Sequence, residues 1–249
     1  MNVFSLKGEL ALITGGGTGL GFAVAQCFVE AGARVIIVGR RQEPLETAVQ
    51  KLGPAARSRV FDVTRFSETD NFVKSIEREI GPISILVNNA GIHLKKPAEE
   101  TTVDEFSTIL DTHLLGAFSL TRAVIPGMKQ RQHGSILFMA SMASLFGIPY
   151  VVAYSAAKAA YAGVVWTLST ELAQHGIRVN AIAPGWIQSD MMRGAMDSER
   201  TRRVLERTPM HRFGEPDDIG WTAVYLCSTA AKFVTGVMLP VDGGASIGF

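Results

Sequence analysis

A tyrosine and a lysine stand four residues apart in the stretch from Tyr154 to Lys158. If this stretch opens a helix, the phenol and the ammonium share one face. A positive charge about 4 Å away favours the phenolate by up to about 4 kcal/mol at an effective dielectric constant of 20. The pKa of the tyrosine would then move from about 10 towards 7, where a general acid or base works near neutral pH. The pair predicts proton transfer, although a chance Tyr-x-x-x-Lys is common on its own.

A glycine-rich stretch from Thr14 to Gly21 separates the first predicted strand from the first predicted helix. Glycines at such a turn let a pyrophosphate approach main-chain N–H groups at the helix N-terminus. The spacing is G-x-x-x-G-x-G rather than G-x-G-x-x-G, and a glycine-rich connection without a ligand is the alternative. The predicted phosphate-binding residues are Gly15, Gly17, Thr18, Gly19, Leu20 and Gly21.

The second predicted strand ends in Gly39-Arg40-Arg41, where a carboxylate would hold the ribose 2′-OH of NAD. A missing carboxylate together with a guanidinium fits a 2′-phosphate. We therefore favour NADP(H) as the cofactor, held by Arg40 and Arg41, with NAD(H) as the alternative. Both arginines could instead face solvent at the start of a helix.

The elements that must position these residues alternate along the chain. Seven short apolar runs, separated by helical patterns, predict an α/β fold: a single-domain, doubly wound (Rossmann-type) parallel sheet of about seven strands with helices on both faces. A long helix is predicted over Val103–Lys129, bent or broken at Pro126. The predicted strands are Leu10–Thr14, Arg34–Val38, Arg59–Asp62, Ile83–Val87, Ser135–Met139, Ile177–Ile182 and Val237–Val241.

Length and composition narrow the class of protein. The chain has 249 residues, of which 47% are hydrophobic, and its formal net charge is +1. These values predict one domain over residues 1–249 and argue against nucleic-acid or membrane partners. The uncharged stretch Gly134–Ala157 contains glycines and a proline, so we predict strand, loop and helix there rather than a membrane span. Cys27 and Cys227 lie in apolar helical patterns, and with no signal peptide predicted, the expected compartment is the cytoplasm.

Taken in order, the motifs resemble those of the short-chain dehydrogenase/reductase family over essentially the whole chain. The matching residues are Thr14-Gly15 with Gly19 and Gly21, Asp62-Val63, Asn88-Asn89-Ala90-Gly91, Ser141, Tyr154, Lys158 and Pro184-Gly185. The resemblance implies that Tyr154 exchanges a proton with the substrate oxygen. It implies that Lys158 holds the nicotinamide ribose and lowers the pKa of Tyr154. Ser141 would hydrogen-bond the substrate carbonyl, with Ser144 as the fallback hydroxyl.

The same resemblance implies further cofactor contacts. Asp62 and Val63 would contact the adenine. The loop after the fourth strand would line the cofactor channel, and the residues after the sixth strand would abut the nicotinamide. The residues concerned are Asn89, Ala90, Gly91, Pro184, Gly185 and Ile187.

One position departs from the family pattern. Where the family has a catalytic asparagine in an N-x-x-G setting, this chain has His113, three residues before Gly116. A histidine can donate and accept, so we expect His113 to anchor a proton-relay water, or else to be a core histidine bonded to backbone. His93 is a candidate substrate residue. The histidines lack metal-ligand spacing, so no metal site is predicted.

A substrate lid is expected at about residues 186–213, with Trp186 as a candidate substrate contact. This segment contains Met191, Met192, Met196 and Met210, and six arginines against four carboxylates. Its flanking motifs are similar to gluconate 5-dehydrogenase-like members, so the predicted substrate is a small sugar acid or polyol. The alternatives are a 3-oxoacyl-carrier-protein reductase and a catalytically weak NADP-binding regulatory protein.

The predicted helix from Tyr154 to Gln174 is apolar nearly all round. A helix without a polar face is covered on both sides. One side can face the sheet, and the other is then available to a second subunit. We therefore expect a homo-oligomer, and the family resemblance implies a tetramer.

Overall fold

The computed structural model describes residues 2–188 and 198–247. Its strands are β1 (Leu10–Thr14), β2 (Arg34–Gly39), β3 (Ala56–Val60), β4 (Ile85–Asn88), β5 (Gly134–Met139), β6 (Ile177–Pro184) and β7 (Met238–Val241). Its helices are α1 (Gly19–Glu30), α2 (Gln42–Leu52), α3 (Thr69–Glu79), α4 (Val103–Leu110), α5 (Gly116–Arg131), α6 (Val152–Leu172), α7 (Ser198–Glu206) and α8 (Pro216–Cys227).

The seven strands form one parallel sheet in the order β3-β2-β1-β4-β5-β6-β7. The predicted fold class is therefore confirmed. The strand order reverses between β1 and β4, and in such sheets ligands bind beyond the carboxyl ends of the strands at this switch point. The candidate residues after β1, β4 and β5 are brought together at this edge.

Two apolar cores cover the two faces of the sheet, because successive residues of each buried strand point to opposite faces. One core packs α1, α2 and α8 against residues such as Ile13, Ile37 and Val87. The other packs α3, α5 and α6 against residues such as Leu12 and Phe138. Both faces are thus closed to water, which explains why the strand sequences do not alternate.

Two predicted elements differ from the structure. The third strand is Ala56–Val60 rather than Arg59–Asp62, because the edge strand pairs through its backbone with β2, and Asp62 follows it. The long helix is not broken at Pro126, which lies inside α5. Its missing N–H removes one helical bond, while Val124 and Met128 hold α5 in the core. The irregularity lies earlier, at a π-helical turn over Asp111–Leu115, called here the π-turn.

The uncharged stretch Gly134–Ala157 forms β5, a short 3₁₀ turn, a loop and the start of α6. Within the described parts of the chain, no helix combines the length and apolarity that crossing a membrane requires.

Candidate active site

The glycine turn after β1 is fastened to the loop after β4. The Thr14 hydroxyl accepts hydrogen bonds from the backbone N–H groups of Asn89 and Ala90, at 3.0 and 2.9 Å. The Asn89 side-chain amide donates to the carbonyls of Thr14 and Gly15, at 3.0 and 3.2 Å. Gly15 has a φ of +65°, and a Cβ on it would lie 2.8 Å from that amide nitrogen. The turn therefore needs glycine both for its backbone angle and for the approach of Asn89.

The N-terminus of α1 follows this turn and has no side-chain cap and no acidic residue in its first turn. The first N–H groups of any helix lack intrahelical acceptors, and here no capping side chain occupies them. This arrangement binds anions. Gly19, Leu20 and Gly21 form this first turn. A cleft of about 280 Å³ opens beside it. The predicted cofactor residues that line the cleft are Gly15, Gly17, Thr18, Arg40, Arg41, Asp62, Val63, Asn89, Ala90 and Gly91.

The charged residues that line the cleft are Arg40, Arg41 and Asp62. Asp62 accepts hydrogen bonds from the backbone and hydroxyl of Thr64, at 3.0 and 2.8 Å. Burial raises the pKa of Asp62, but these bonds and the charges of Arg40 and Arg65 outweigh it, so the pKa lies below its ordinary value. None of the ion pairs among residues 2–188 and 198–247 involves Arg40 or Arg41.

The end of β5 carries the two candidate hydroxyls. Ser141 begins the 3₁₀ turn Met142–Ser144, and its Oγ accepts from the backbone N–H of Ala143 at 3.1 Å. The Ser144 hydroxyl donates to the backbone carbonyl of Lys158 at 2.8 Å. Ser144 is therefore engaged in holding α6, whereas the Ser141 side chain interacts with the Tyr154 phenol.

Tyr154 and Lys158 share one face of α6. The Lys158 Nζ lies 5.6 Å from the centroid of the Tyr154 ring and donates to the carbonyl of Met139 at 2.5 Å. Burial lowers the pKa of Lys158 to about 7. Burial also raises the pKa of Tyr154, although the Ser141 hydroxyl lowers it. The predicted fall of the Tyr154 pKa is wrong for this structure, because burial opposes the phenolate more than its neighbours favour it.

The π-turn brings His113 into the site, where its side chain is buried. Its Nε2 lies 2.7 Å from the carbonyl oxygen and 3.1 Å from the backbone nitrogen of Ile92. This nitrogen donates to the carbonyl in one neutral tautomer and accepts from the N–H in the other, so Ile92 holds the imidazole in both. Its Nδ1 is buried without a hydrogen-bond partner in the described residues. Burial, followed by the charge of Lys158, lowers the pKa of His113 to about 4, so the imidazole is neutral near neutral pH.

Two imidazoles flank the tyrosine. The His113 ring centroid lies 5.3 Å from that of Tyr154 with an interplanar angle of 88°, and the His93 ring centroid lies 5.8 Å away at 74°. One further residue of the site, Tyr161, was not predicted from the sequence. Its buried hydroxyl donates to the backbone carbonyl of His113 at 2.5 Å. Its spacing of three residues from Lys158 is the signal that would have identified it.

The residues after β6 pack towards the C-terminal part of the chain. The Gly185 N–H donates to the carbonyl of Val241 at 3.0 Å, directly after Pro184 at the end of β6. Trp186 and Ile187 line a second cavity, of about 380 Å³. Ser141, Tyr154 and Lys158 line neither this cavity nor the cleft beside the glycine turn. In the predicted lid, residues 189–197, which include Met191, Met192 and Met196, lie outside the described residues, whereas Met210 lines this second cavity.

Comparison with known proteins agrees with this geometry. A family model described as enoyl-(acyl carrier protein) reductase matches residues 15–246. The chain is 38% identical to 5-keto-D-gluconate 5-reductase of Escherichia coli (98% of this chain, 97% of that protein). It is 35% identical to gluconate 5-dehydrogenase of Gluconobacter oxydans (99% and 98%).

Among solved structures, the chain matches a gluconate 5-dehydrogenase from Burkholderia cenocepacia in complex with NADP and tartrate. The TM-score is 0.95 at 33% identity, over 100% of this chain and 99% of the other. The match to the family model begins in the glycine turn, at residue 15, and ends after the last strand, at residue 246. This chain belongs to the short-chain dehydrogenase/reductase family of oxidoreductases.

Proposed function

We propose that this protein is an NADP(H)-dependent oxidoreductase that interconverts a secondary alcohol and a ketone on a small sugar acid or polyol. The observation that carries this proposal is that Tyr154 contacts both the Ser141 hydroxyl and the Lys158 ammonium. Tyr154 is joined to the cleft through His113, which packs against Tyr154 and is hydrogen-bonded to the cleft residue Ile92. The relatives named for gluconate and 5-keto-D-gluconate support the substrate class.

The cleft fits a dinucleotide with a 2′-phosphate. The uncapped N-terminus of α1 offers N–H groups to a pyrophosphate, and Gly15 leaves no side chain in the way. Arg40, an exposed residue of the cleft lining, is available to a 2′-phosphate. Asp62 and Val63 line the same end and would hold the adenine. When bound, the nicotinamide supplies or accepts the hydride.

The protein residues would handle the proton. In ketone reduction, the Tyr154 phenol donates its proton to the substrate oxygen, and in alcohol oxidation it takes that proton back. The Ser141 hydroxyl donates a hydrogen bond to the same oxygen as negative charge develops. The Lys158 ammonium stabilises the phenolate left on Tyr154, which matters here because burial disfavours that anion. His113 stays neutral and so adds no competing positive charge.

A lysine close to the site in sequence would favour an anionic substrate. His93 lies against the edge of Tyr154, and the exposed Lys95 follows two residues later. A carboxylate on the substrate would be attracted to this side. We propose that residues 1–249 form one catalytic domain with a substrate lid at about residues 186–213.

The test is a panel assay with the purified protein. NADPH oxidation is measured with 5-ketogluconate, other keto-acids of sugars, small ketones and a 3-oxoacyl thioester, and NADP reduction with gluconate and polyols. We expect turnover with the sugar acids or polyols. Turnover with the thioester alone would identify a 3-oxoacyl reductase, a candidate supported by the acyl-carrier-protein description of the family model. NADPH binding without any turnover would favour a regulatory protein.

We also propose that the protein assembles as a homotetramer. The π-turn, α5 and α6 expose Leu115, Phe118 and Trp166, which are 44, 46 and 60% exposed. Large apolar side chains on adjacent helical segments favour a shared interface. Light scattering on the native protein should give four times the chain mass, and Trp166→Glu should reduce it, whereas a monomeric native protein would contradict the proposal. The free, buried Cys27 and Cys227 support a cytoplasmic location.

A further inference from the structure

Tyr161 lies in the middle of α6, three residues after Lys158 and seven after Tyr154, and its side chain is completely buried. These spacings place all three side chains on one face of the helix. The Lys158 Nζ lies 4.9 Å from the centroid of the Tyr161 ring and 5.6 Å from that of Tyr154. The ammonium is therefore flanked by the faces of two aromatic rings.

Lys158 has few other groups to stabilise its charge. Its Nζ donates to the carbonyl of Met139, and burial lowers its pKa without an opposing contribution from any described carboxylate. The titratable groups that face it are Tyr154 and Tyr161 from its own helix and His113 from the π-turn. Since His113 is neutral, the groups beside Lys158 that favour its charged form over the neutral amine are the Met139 carbonyl and the two ring faces.

The opposite end of Tyr161 serves a second element. Its hydroxyl donates to the backbone carbonyl of His113 at 2.5 Å, inside the π-turn. A π-helical turn leaves local backbone groups without the usual helical partners, so a side-chain donor stabilises it. Phe138 of β5 packs against the Tyr161 ring, with ring centroids 5.0 Å apart. Tyr161 thus connects β5, α6 and the π-turn.

We propose that Tyr161 is a positioning residue for this site: its ring face stabilises the Lys158 ammonium beside Tyr154, and its hydroxyl holds the π-turn that carries His113. The two roles are separable, because one belongs to the ring and the other to the hydroxyl. The consequence for catalysis rests on the proposed function, but both contacts can be measured on the protein without cofactor or substrate.

The ring role is tested by reducing the negative electrostatic potential of the ring face while nearly keeping the shape of the ring. Position 161 carries phenylalanine (Tyr161→Phe) or 3,4,5-trifluorophenylalanine, and NMR of ¹³C-lysine-labelled protein follows the titration of Lys158, assigned with Lys158→Met. We expect the fluorinated ring to lower the Lys158 midpoint by about 0.5–1 pH unit relative to Tyr161→Phe. Trifluorophenylalanine at position 138 is the matched control and should leave the midpoint unchanged. Equal midpoints for the two rings at position 161 would overturn this role.

The hydroxyl role is tested by Tyr161→Phe alone, which keeps the ring and the packing. If the π-turn loosens, the His113 imidazole is held less firmly against Ile92 and less shielded from water. Its NMR titration midpoint should then rise from about 4 towards the ordinary value, by roughly half a unit or more. An unchanged His113 midpoint in folded Tyr161→Phe would overturn this role. Because neither titration uses turnover, a failure here is distinguishable from a failure of the proposed activity.

Discussion

Gly91 should be intolerant of a methyl group because His113 occupies the space beside it. A Cβ on Gly91 would overlap the Cε1 of His113 and lie 3.0 and 3.1 Å from the two ring nitrogens. The imidazole has little freedom to move, since Nε2 is bonded to Ile92 and the ring packs against Tyr154. Overpacking of this kind costs about 1–3 kcal/mol. We expect Gly91→Ala to lower the free energy of unfolding by about 2 kcal/mol, a fall in Tm of roughly 4–8 °C.

The cause is isolated by a double-mutant cycle with His113→Ala, measured by thermal and urea unfolding at one protein concentration. With the imidazole removed, the methyl group fits, so Gly91→Ala should cost at least about 1 kcal/mol less in that background. Gly163→Ala is the matched control, because a Cβ there would meet no atom within 4 Å. If Gly91→Ala is harmless, or equally costly with and without the imidazole, then His113 does not define the shape of this loop.

Three other perturbations address the proton, the cofactor and pH. Tyr154→Phe should lower kcat at least about 100-fold while the Kd for NADPH changes little, as loss of a general acid requires; an unchanged kcat would remove Tyr154 from the mechanism. Arg40→Asp should shift the ratio of NADP to NAD affinity towards NAD, and Arg41→Asp is measured beside it because both arginines line the cleft; a retained NADP preference in Arg40→Asp would exclude Arg40 as the 2′-phosphate ligand. His113 binds its proton less readily when folded, with a pKa lowered from 6.5 to about 4. The unfolded chain therefore takes up more protons in this window, and stability should fall by roughly 3 kcal/mol from pH 6.5 to pH 4. His113→Asn should remove that part of the acid sensitivity, and parallel stability profiles for the two proteins would contradict it.

The predicted order of elements followed from local patterns, and the sheet confirmed it. Continuous apolar runs separated by long helical segments leave a doubly wound parallel sheet as the simplest way to cover every strand on both faces. The third strand was misplaced because the prediction relied on apolar runs. Ala56–Val60 lies at the edge of the sheet and is only partly buried, so its sequence carries little apolar signal. Pro126 was overestimated as a helix breaker because the contribution of core packing to α5 is not visible in the sequence.

The residues of the candidate site were identifiable from their types and order, but their hydrogen bonds, packing contacts and pKa values were not. The sequence placed His113 at an unusual position; the structure adds the π-turn, the hydrogen bonding of Nε2 to the backbone of Ile92 and the contact with Gly91. The expected effect of Lys158 on the Tyr154 pKa considered only the attraction between these two side chains. It failed because burial acts on both groups at once, and burial depends on the surrounding fold rather than on spacing.

Spacing along a helix and position after a strand are local properties, so the amino-acid sequence by itself determined the fold class, the glycine turn and the shared face of Tyr154 and Lys158. The contact of the Tyr161 hydroxyl with the carbonyl of His113 was decided only by the tertiary structure. It joins α6 to a turn 48 residues earlier in the chain. Contacts of this kind, and the desolvation that sets each pKa, arise from the packing of distant elements against each other.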